Sequence, residues 1–185
     1  SVKALLLTPE GAVLAAASAP YEVAAPRPGW AETDPEAWWR ATVTAVRAAL
    51  AAAPPARRVA AVGLSGQMHG AVLLDKTDEP LRPAILWNDG RSARQCPELE
   101  QREPLARSLT GNLAMPGFTA PKLLWVRDHE PEIFARTALV LLPKDYLRLR
   151  LTGERLSDMS DAAGTLWLDV ARREWSGRML AATGL

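Results

Sequence analysis

Val59-Ala60-Ala61-Val62-Gly63-Leu64 runs directly into Ser65-Gly66-Gln67-Met68-His69-Gly70. The uninterrupted apolar and small residues predict a short strand buried on both faces. The polar segment behind them predicts a loop at that strand's carboxyl end, where ligands of α/β sheets gather. Gly66 and Gly70 let the backbone approach a bound molecule closely, and Gln67 and His69 carry donors and acceptors suited to hydroxyl groups. A lone His more often serves as a satisfied structural residue, and that reading of His69 stands beside the binding one.

Upstream, Lys3–Leu7 and Ala12–Ala17 flank Thr8-Pro9-Glu10-Gly11, which is hairpin chemistry. A third strand is expected near Tyr21–Val23, and Pro26-Arg27-Pro28-Gly29 forbids regular structure. Thr33-Asp34-Pro35-Glu36 fits a capping box, with the Thr33 hydroxyl accepting an amide proton and Glu36 reaching back. Trp39, Val43, Val46 and Leu50 then follow on one helical face, and Pro54-Pro55 stops that helix.

Downstream, Ala71–Leu74 and Ala84–Trp87 read as strands around a turn at Asp75–Pro80. Asn88-Asp89-Gly90 is a tight turn before a polar helix near Ser92. Leu109–Pro121 is loop-like, a helix starts near Lys122, and Leu139–Leu142 is a further buried strand. Lys144–Leu151 continues as helix with Thr152-Gly153 as its stop, and Trp175–Ala182 closes as helix. Antiparallel strands followed by alternating helices and strands predict an α/β layer domain.

The chain has 185 residues, with 22 Lys and Arg against 21 Asp and Glu and 48% hydrophobic residues. That length predicts one domain or slightly more, with a sizeable core, and the composition argues against disorder. The balanced charge gives no electrostatic footprint for nucleic acid. One cysteine, Cys96, allows no internal disulfide and suits a reducing cytoplasm. No apolar stretch is long enough to span a membrane, and the start is no signal peptide. Both ends, Ser1 and Leu185, read as cut.

No P-loop and no G-x-G-x-x-G occurs, and His69 and His129 lie too far apart in sequence, without other ligands, to suggest zinc. Gly63-Leu64-Ser65-Gly66 approaches a nucleophile elbow, but G-x-S-x-G needs its second Gly one residue later. Trp87-Asn88-Asp89-Gly90-Arg91 suits a sugar-binding edge: an indole face packs on C–H groups while its polar neighbours bond hydroxyls. A core Trp before an ordinary turn fits the same residues equally well. In Ser157-Asp158-Met159-Ser160-Asp161 the Ser and Asp residues are most simply read as caps.

These segments, in this order, resemble the FGGY carbohydrate kinases, and their xylulokinase branch in particular. The resemblance is carried by Gly66–Gly70, by Arg82–Arg91, and by Thr110-Gly111-Asn112 leading to Met115–Trp125. Gly117–His129 fits a family signature through Thr119, Lys122, Trp125, Asp128 and His129, and Leu142–Leu147 and Ser157–Thr165 complete the match.

The resemblance implies a ribonuclease-H-like (actin-like) α/β domain with a mixed sheet whose first strand, bearing an Asp-x-Gly-Thr motif, precedes Ser1. It implies that residues 1–185 are the N-terminal sugar-binding lobe, with the ATP lobe absent. Met68 and His69 match the sugar-contacting pair and Trp87 the pocket wall. Gln67 and Asn88 are their neighbours, and Asp89 and Arg91 stand behind them. The implied reaction moves the γ-phosphoryl group of ATP, with Mg²⁺, to D-xylulose, giving D-xylulose 5-phosphate. The catalytic Asp is expected beyond Leu185, with no metal ligand in the chain. Ketose and ATP are the expected partners, without nucleic acid or membrane, and a homodimer is compatible. Another pentulose or hexulose kinase of the family, or a non-catalytic sugar-binding module, are the alternatives.

Overall fold

Alternating small and apolar residues build the first unit of the chain. The computed structural model describes residues 1–54 and 58–185, so Pro55 of the expected helix stop lies outside the described residues. β1 (Val2–Leu7) pairs antiparallel with β2 (Val13–Ala19), Val2 opposite Ala19 and Leu5 opposite Ala16, as the hairpin chemistry predicts. No strand forms at Tyr21–Val23. Only Ala24 bridges to Glu32, in a segment where Pro20, Pro26 and Pro28 cannot donate to a ladder. β3 (Glu32–Thr33) follows and pairs further along the chain.

α1 (Pro35–Ala52) is the expected long helix with a different cap and a different buried face. Asp34, not Thr33, is the N-cap, its carboxylate accepting from the Glu36 amide at 3.0 Å. An ionised acceptor makes the stronger bond at this position, and Pro35 sits where the helix needs no N–H. The Thr33 hydroxyl instead donates to the Glu22 carbonyl, and Glu36 contacts Tyr146 and Arg150. The Trp39/Val43/Val46/Leu50 stripe faces outward, with Val46 and Leu50 exposed. The buried face is Trp38, Ala41, Thr42, Ala45 and Ala49. Small side chains let the helix lie close on the Ala-rich hairpin, where Ala19 meets Ala41 and Ala45.

Val59–Leu64 is neither buried nor a strand: Val59 and Val62 are exposed. A strand needs a neighbour's backbone groups, and among the described residues none pairs with this segment. Its amides and carbonyls are left to water. The strand buried on both faces is the next one, β4 (Val72–Leu74), all of it at 0% exposure. β5 (Ala84–Ile85) pairs with β3, and Ala71 bridges Ile85.

α2 (Gln95–Arg102) and α3 (Ala106–Thr110) come next, α3 starting before the stretch expected to be loop. α4 (Thr119–His129) begins three residues before Lys122. Pro121 falls in its first turn, where N–H groups have no intrahelical partner, so proline costs no bond there. α5 (Pro131–Arg136), β6 (Leu139–Leu141) and α6 (Pro143–Thr152) follow, β6 pairing with β4. Gly153 ends α6 at φ 77°, the left-handed stop that the sequence predicts. α7 (Met159–Ala163) is capped by Asp158, in accord with the capping reading. β7 (Leu168–Asp169) and β8 (Glu174–Trp175) form an unforeseen hairpin before α8 (Gly177–Ala182).

Among the described residues all named strand pairs are antiparallel and two-stranded, small sheets where the resemblance implies a mixed one. β4 divides the core. Leu73 points among Ile85, Leu99, Leu123, Leu124 and Met179, whereas Val72 and Leu74 pack with Trp38, Leu86, Tyr146 and Leu149.

The two faces of α1 give opposite expectations. Ala45→Leu, at 0% exposure against the hairpin, is expected to lower stability by about 1–3 kcal/mol through overpacking. Val46→Glu, one residue on, is expected to stay within about 0.5 kcal/mol. Urea unfolding of both variants checks this, and equal losses would contradict the packing described.

Candidate functional site

Antiparallel pairing brings two of the sequence-predicted clusters to one place. Ala71 bridges Ile85, its amide donating to the Ile85 carbonyl at 3.0 Å. The loop before Ala71 and the turn after Ile85 therefore emerge together, carrying His69 and Trp87. Both meet the segment that leads into α4. The His69 ring lies 4.5 Å from the Phe118 ring, tilted by 34°. Gly117 stands so close to Trp87 that a Cβ there would fall 2.9 Å from the Trp87 carbonyl oxygen. Met68, Trp87 and Asn88 are exposed, while Gln67 and His69 are half-buried. The Trp87 indole is thus not a core side chain, which removes the bland reading of that residue.

His69 is held in an unusual conformation, with φ at 65°. A non-Gly residue keeps such a φ only where its surroundings over-determine it. Here the Thr119 hydroxyl donates to the His69 carbonyl at 3.1 Å. Burial first, then the nearby Lys122 charge, holds the His69 imidazole below its ordinary value, with the Gly117 backbone acting weakly in the other direction. A neutral imidazole results at neutral pH, with one donor and one acceptor.

Beneath this rim lie buried charges. Lys122, at 0% exposure, donates through Nζ to the carbonyls of Pro116 (3.1 Å), Phe118 (3.0 Å) and Gly117. It is the one charged residue in the buried run from Thr119 to Val126 of α4, and it clamps the loop that carries Gly117 and Phe118. Burial drives it down to about 7, against the attraction of Asp89.

Asp89 is buried, accepting from the Ala31 amide at 2.6 Å and from the Arg91 guanidinium at 2.9 and 2.7 Å. Arg91 also reaches Glu32 at 2.6 Å and stacks 3.6 Å over Trp30. Glu32 in turn meets Arg82, which bonds Glu130 at 2.7 Å. The side chains of Asp89 and Arg91 are thus fully buried and paired with each other.

A second, half-buried lysine sits under the other end of the loop. A Cβ on Gly66 would stand 3.2 Å from Lys144 Cβ. Lys144 Nζ pairs with Asp145 at 2.6 Å, Asp158 at 2.7 Å and Asp161 at 3.4 Å, and Ser157 donates to Asp145 at 2.7 Å. Among the described residues no group of His, Cys, Asp and Glu is arranged to hold a metal ion. The acidic cluster is occupied by Lys144, so Mg²⁺ finds no fitting ligand set here.

Sequence reading singled out His69, Met68 and Trp87 but did not assign Gly117, Phe118, Lys122 or Gly164 to the site. A signal for Lys122 was present, since a lone lysine inside an otherwise apolar helical run needs buried acceptors.

The whole chain, residues 1–185, matches the family described as the FGGY family of carbohydrate kinases, N-terminal domain. It is 60% identical over 184 residues to a xylulose kinase of Klebsiella pneumoniae and, equally, to one of Escherichia coli. All of this chain is covered in both, yet it spans only 38% of the length of those relatives. Among solved structures, a xyloylose kinase from Brucella ovis superposes with a TM-score of 0.96 at 55% identity, over 99% of this chain and 38% of that one. A xylulose kinase from Rhodospirillum rubrum gives 0.94 at 31% identity over the same shares. The α/β, actin-like fold expected from the sequence is thereby shared with solved carbohydrate kinases.

The shifted lysine has a consequence for stability. An unfolded lysine titrates near 10.5, against about 7 for Lys122. Between those values the unfolded chain binds a proton that the folded chain does not, so stability rises with pH. Relative to Lys122→Met, the native protein is expected to gain up to about 1.4 kcal/mol per pH unit between about pH 7.5 and 9. Urea unfolding of both proteins at several pH values measures the difference, and a flat difference would contradict the assignment.

Proposed function

The chain belongs to the FGGY family of carbohydrate kinases, and from that premise we propose that it is the sugar-holding lobe of a xylulose kinase. The proposed reaction transfers the γ-phosphoryl group of ATP to the terminal hydroxyl of D-xylulose. The carrying observation is that the His69 imidazole, packed on Phe118, and the exposed Trp87, whose backbone carbonyl borders Gly117, both stand beside the 117–118 loop. An indole face packs on the C–H side of a sugar, and a fixed imidazole nitrogen reads one hydroxyl. Met68 adds an adaptable apolar contact, and Gln67 and Asn88 supply further polar groups at the same edge.

Phosphoryl transfer depends on positioning and charge stabilisation. The proposed role of this lobe is positioning: it presents the acceptor hydroxyl and shields one side of it from water. The proton on that hydroxyl needs a carboxylate, and the ones near the rim are engaged, Asp89 by Arg91 and Asp145, Asp158 and Asp161 by Lys144. The base and the nucleotide contacts are accordingly assigned to the rest of the longer kinase, as is Mg²⁺, which neutralises phosphate charge in such reactions.

Two outcomes test this. The 185-residue chain alone is expected to release no ADP from ATP in the presence of D-xylulose, and sugar-dependent release would refute the division of labour. In the complete enzyme carrying this lobe, His69→Ala is expected to raise the KM for D-xylulose about fivefold, the equivalent of about 1 kcal/mol, with the KM for ATP unchanged. Steady-state kinetics with each substrate varied checks it, and an unaltered sugar KM would return His69 to a structural role.

A further inference from the structure

Gly164 closes α7 at φ −75° and ψ −2°, a conformation open to any residue. Its lack of a side chain is therefore not a backbone requirement. A Cβ there would lie 2.5 Å from His69 Cδ2 and 2.6 Å from His69 Nε2, while the third nearest atom, the Asp161 carbonyl oxygen, is 3.4 Å away. The imidazole occupies the space that a side chain at residue 164 would fill.

Neither backbone can withdraw. The Thr165 carbonyl, next to Gly164, accepts from the Ala120 amide of α4 at 3.0 Å. Asp158 pins the start of α7 through the Asp161 amide at 3.0 Å. On the other side, His69 is held by Thr119, and its neighbour Gly70 donates to the Met68 carbonyl at 2.8 Å. Phe118 covers another side of the ring at 4.5 Å. Only rotation of the imidazole out of its slot would relieve the overlap, and a side-chain tip moves at little cost to the fold.

We propose that Gly164 is a positioning residue for His69: its bare Cα forms the wall that sets where the imidazole meets the sugar, and so helps to decide which ketose is accepted. This rests on the reading of His69 as a sugar contact. A residue that merely stabilised α7 would alter folding and leave the two substrates equally affected. One that seats His69 alters sugar use alone, and only while His69 is present.

The test uses the complete enzyme carrying this lobe, with D-xylulose and ATP varied separately, in three variants: Gly164→Ala, His69→Ala and the double mutant. Gly164→Ala is expected to raise the KM for D-xylulose about fivefold, as His69→Ala does, to leave the KM for ATP unchanged, and to shift the thermal midpoint by no more than about 2 °C. The double mutant is expected to match His69→Ala, because two changes that act through one ring do not add. An unchanged sugar KM in Gly164→Ala, with His69→Ala impaired, overturns the inference and leaves the reading of His69 intact. A further full loss in the double mutant also overturns it, since Gly164 would then act elsewhere. Gly164→Ala that fails to fold overturns it too, because the ring would not be what yields. If His69→Ala leaves the sugar KM unchanged, the reading of the site fails and the inference falls with it.

Discussion

One buried ammonium group organises the rim. Lys122 Nζ reaches three consecutive carbonyls, those of Pro116, Gly117 and Phe118. In its protonated form, which burial confines to below about pH 7, it has one proton for each of them. Removing such a charge from water costs several kcal/mol, and the loss is offset only when every proton is bonded and an opposite charge is near. Asp89 supplies that charge. The loop at 116–118 thus has a shape dictated from below, and its two outward consequences are the Phe118 ring against His69 and the Gly117 backbone against Trp87. A site whose exposed groups stand on buried, fully bonded supports is held near one geometry before any ligand arrives.

Asp89 links that clamp to the remainder of the lobe. It lies between two cations, bonded to Arg91 and attracting Lys122. Arg91 continues to Glu32 of β3, Glu32 to Arg82, and Arg82 to Glu130 just beyond α4. Trp30 and Trp125 pack edge to face at 5.3 Å beside the same guanidinium. Elements far apart in sequence are therefore tied to the strand turn that presents Trp87. The turn is short and polar, and without this anchorage an exposed indole on it would be free to move.

The hairpin, the helix at 35–52 and the stop at Gly153 were legible because each depends on local chemistry: turn residues, a polar stretch with proline ahead of the helix, a left-handed glycine, although the cap fell on Asp34 and not on Thr33. The buried face of α1 was not. Periodicity finds the large apolar residues, whereas the hairpin demands small ones, and only its Ala-rich surface decides that Ala41 and Ala45 go inward. The strand reading of Val59–Leu64 failed for a related reason, since apolar content says nothing about whether a partner's backbone is alongside. Met68, His69 and Trp87 were singled out as candidates through their neighbours in sequence. Gly164 could not be, because its role is the absence of a side chain next to a ring 95 residues earlier.

Charge then bears on what the rim can hold. The cations beneath it are engaged internally: Lys122 with three carbonyls, Arg91 with Asp89 and Glu32, Lys144 with Asp145, Asp158 and Asp161. A phosphate group needs donors that are not already bound to anions, and burying one against satisfied ion pairs would leave its charge uncompensated. A neutral polyhydroxyl compound asks for less: one flat apolar face, one acceptor and a few amides, the groups that the proposed reading assigns to Trp87, His69, Asn88 and Gln67. The internal pairing of charge thus accords with the proposal that this rim holds the sugar and not the nucleotide. It also shows how a chain with 22 basic and 21 acidic side chains can place lysines and arginines directly under a surface loop while their charges are met internally.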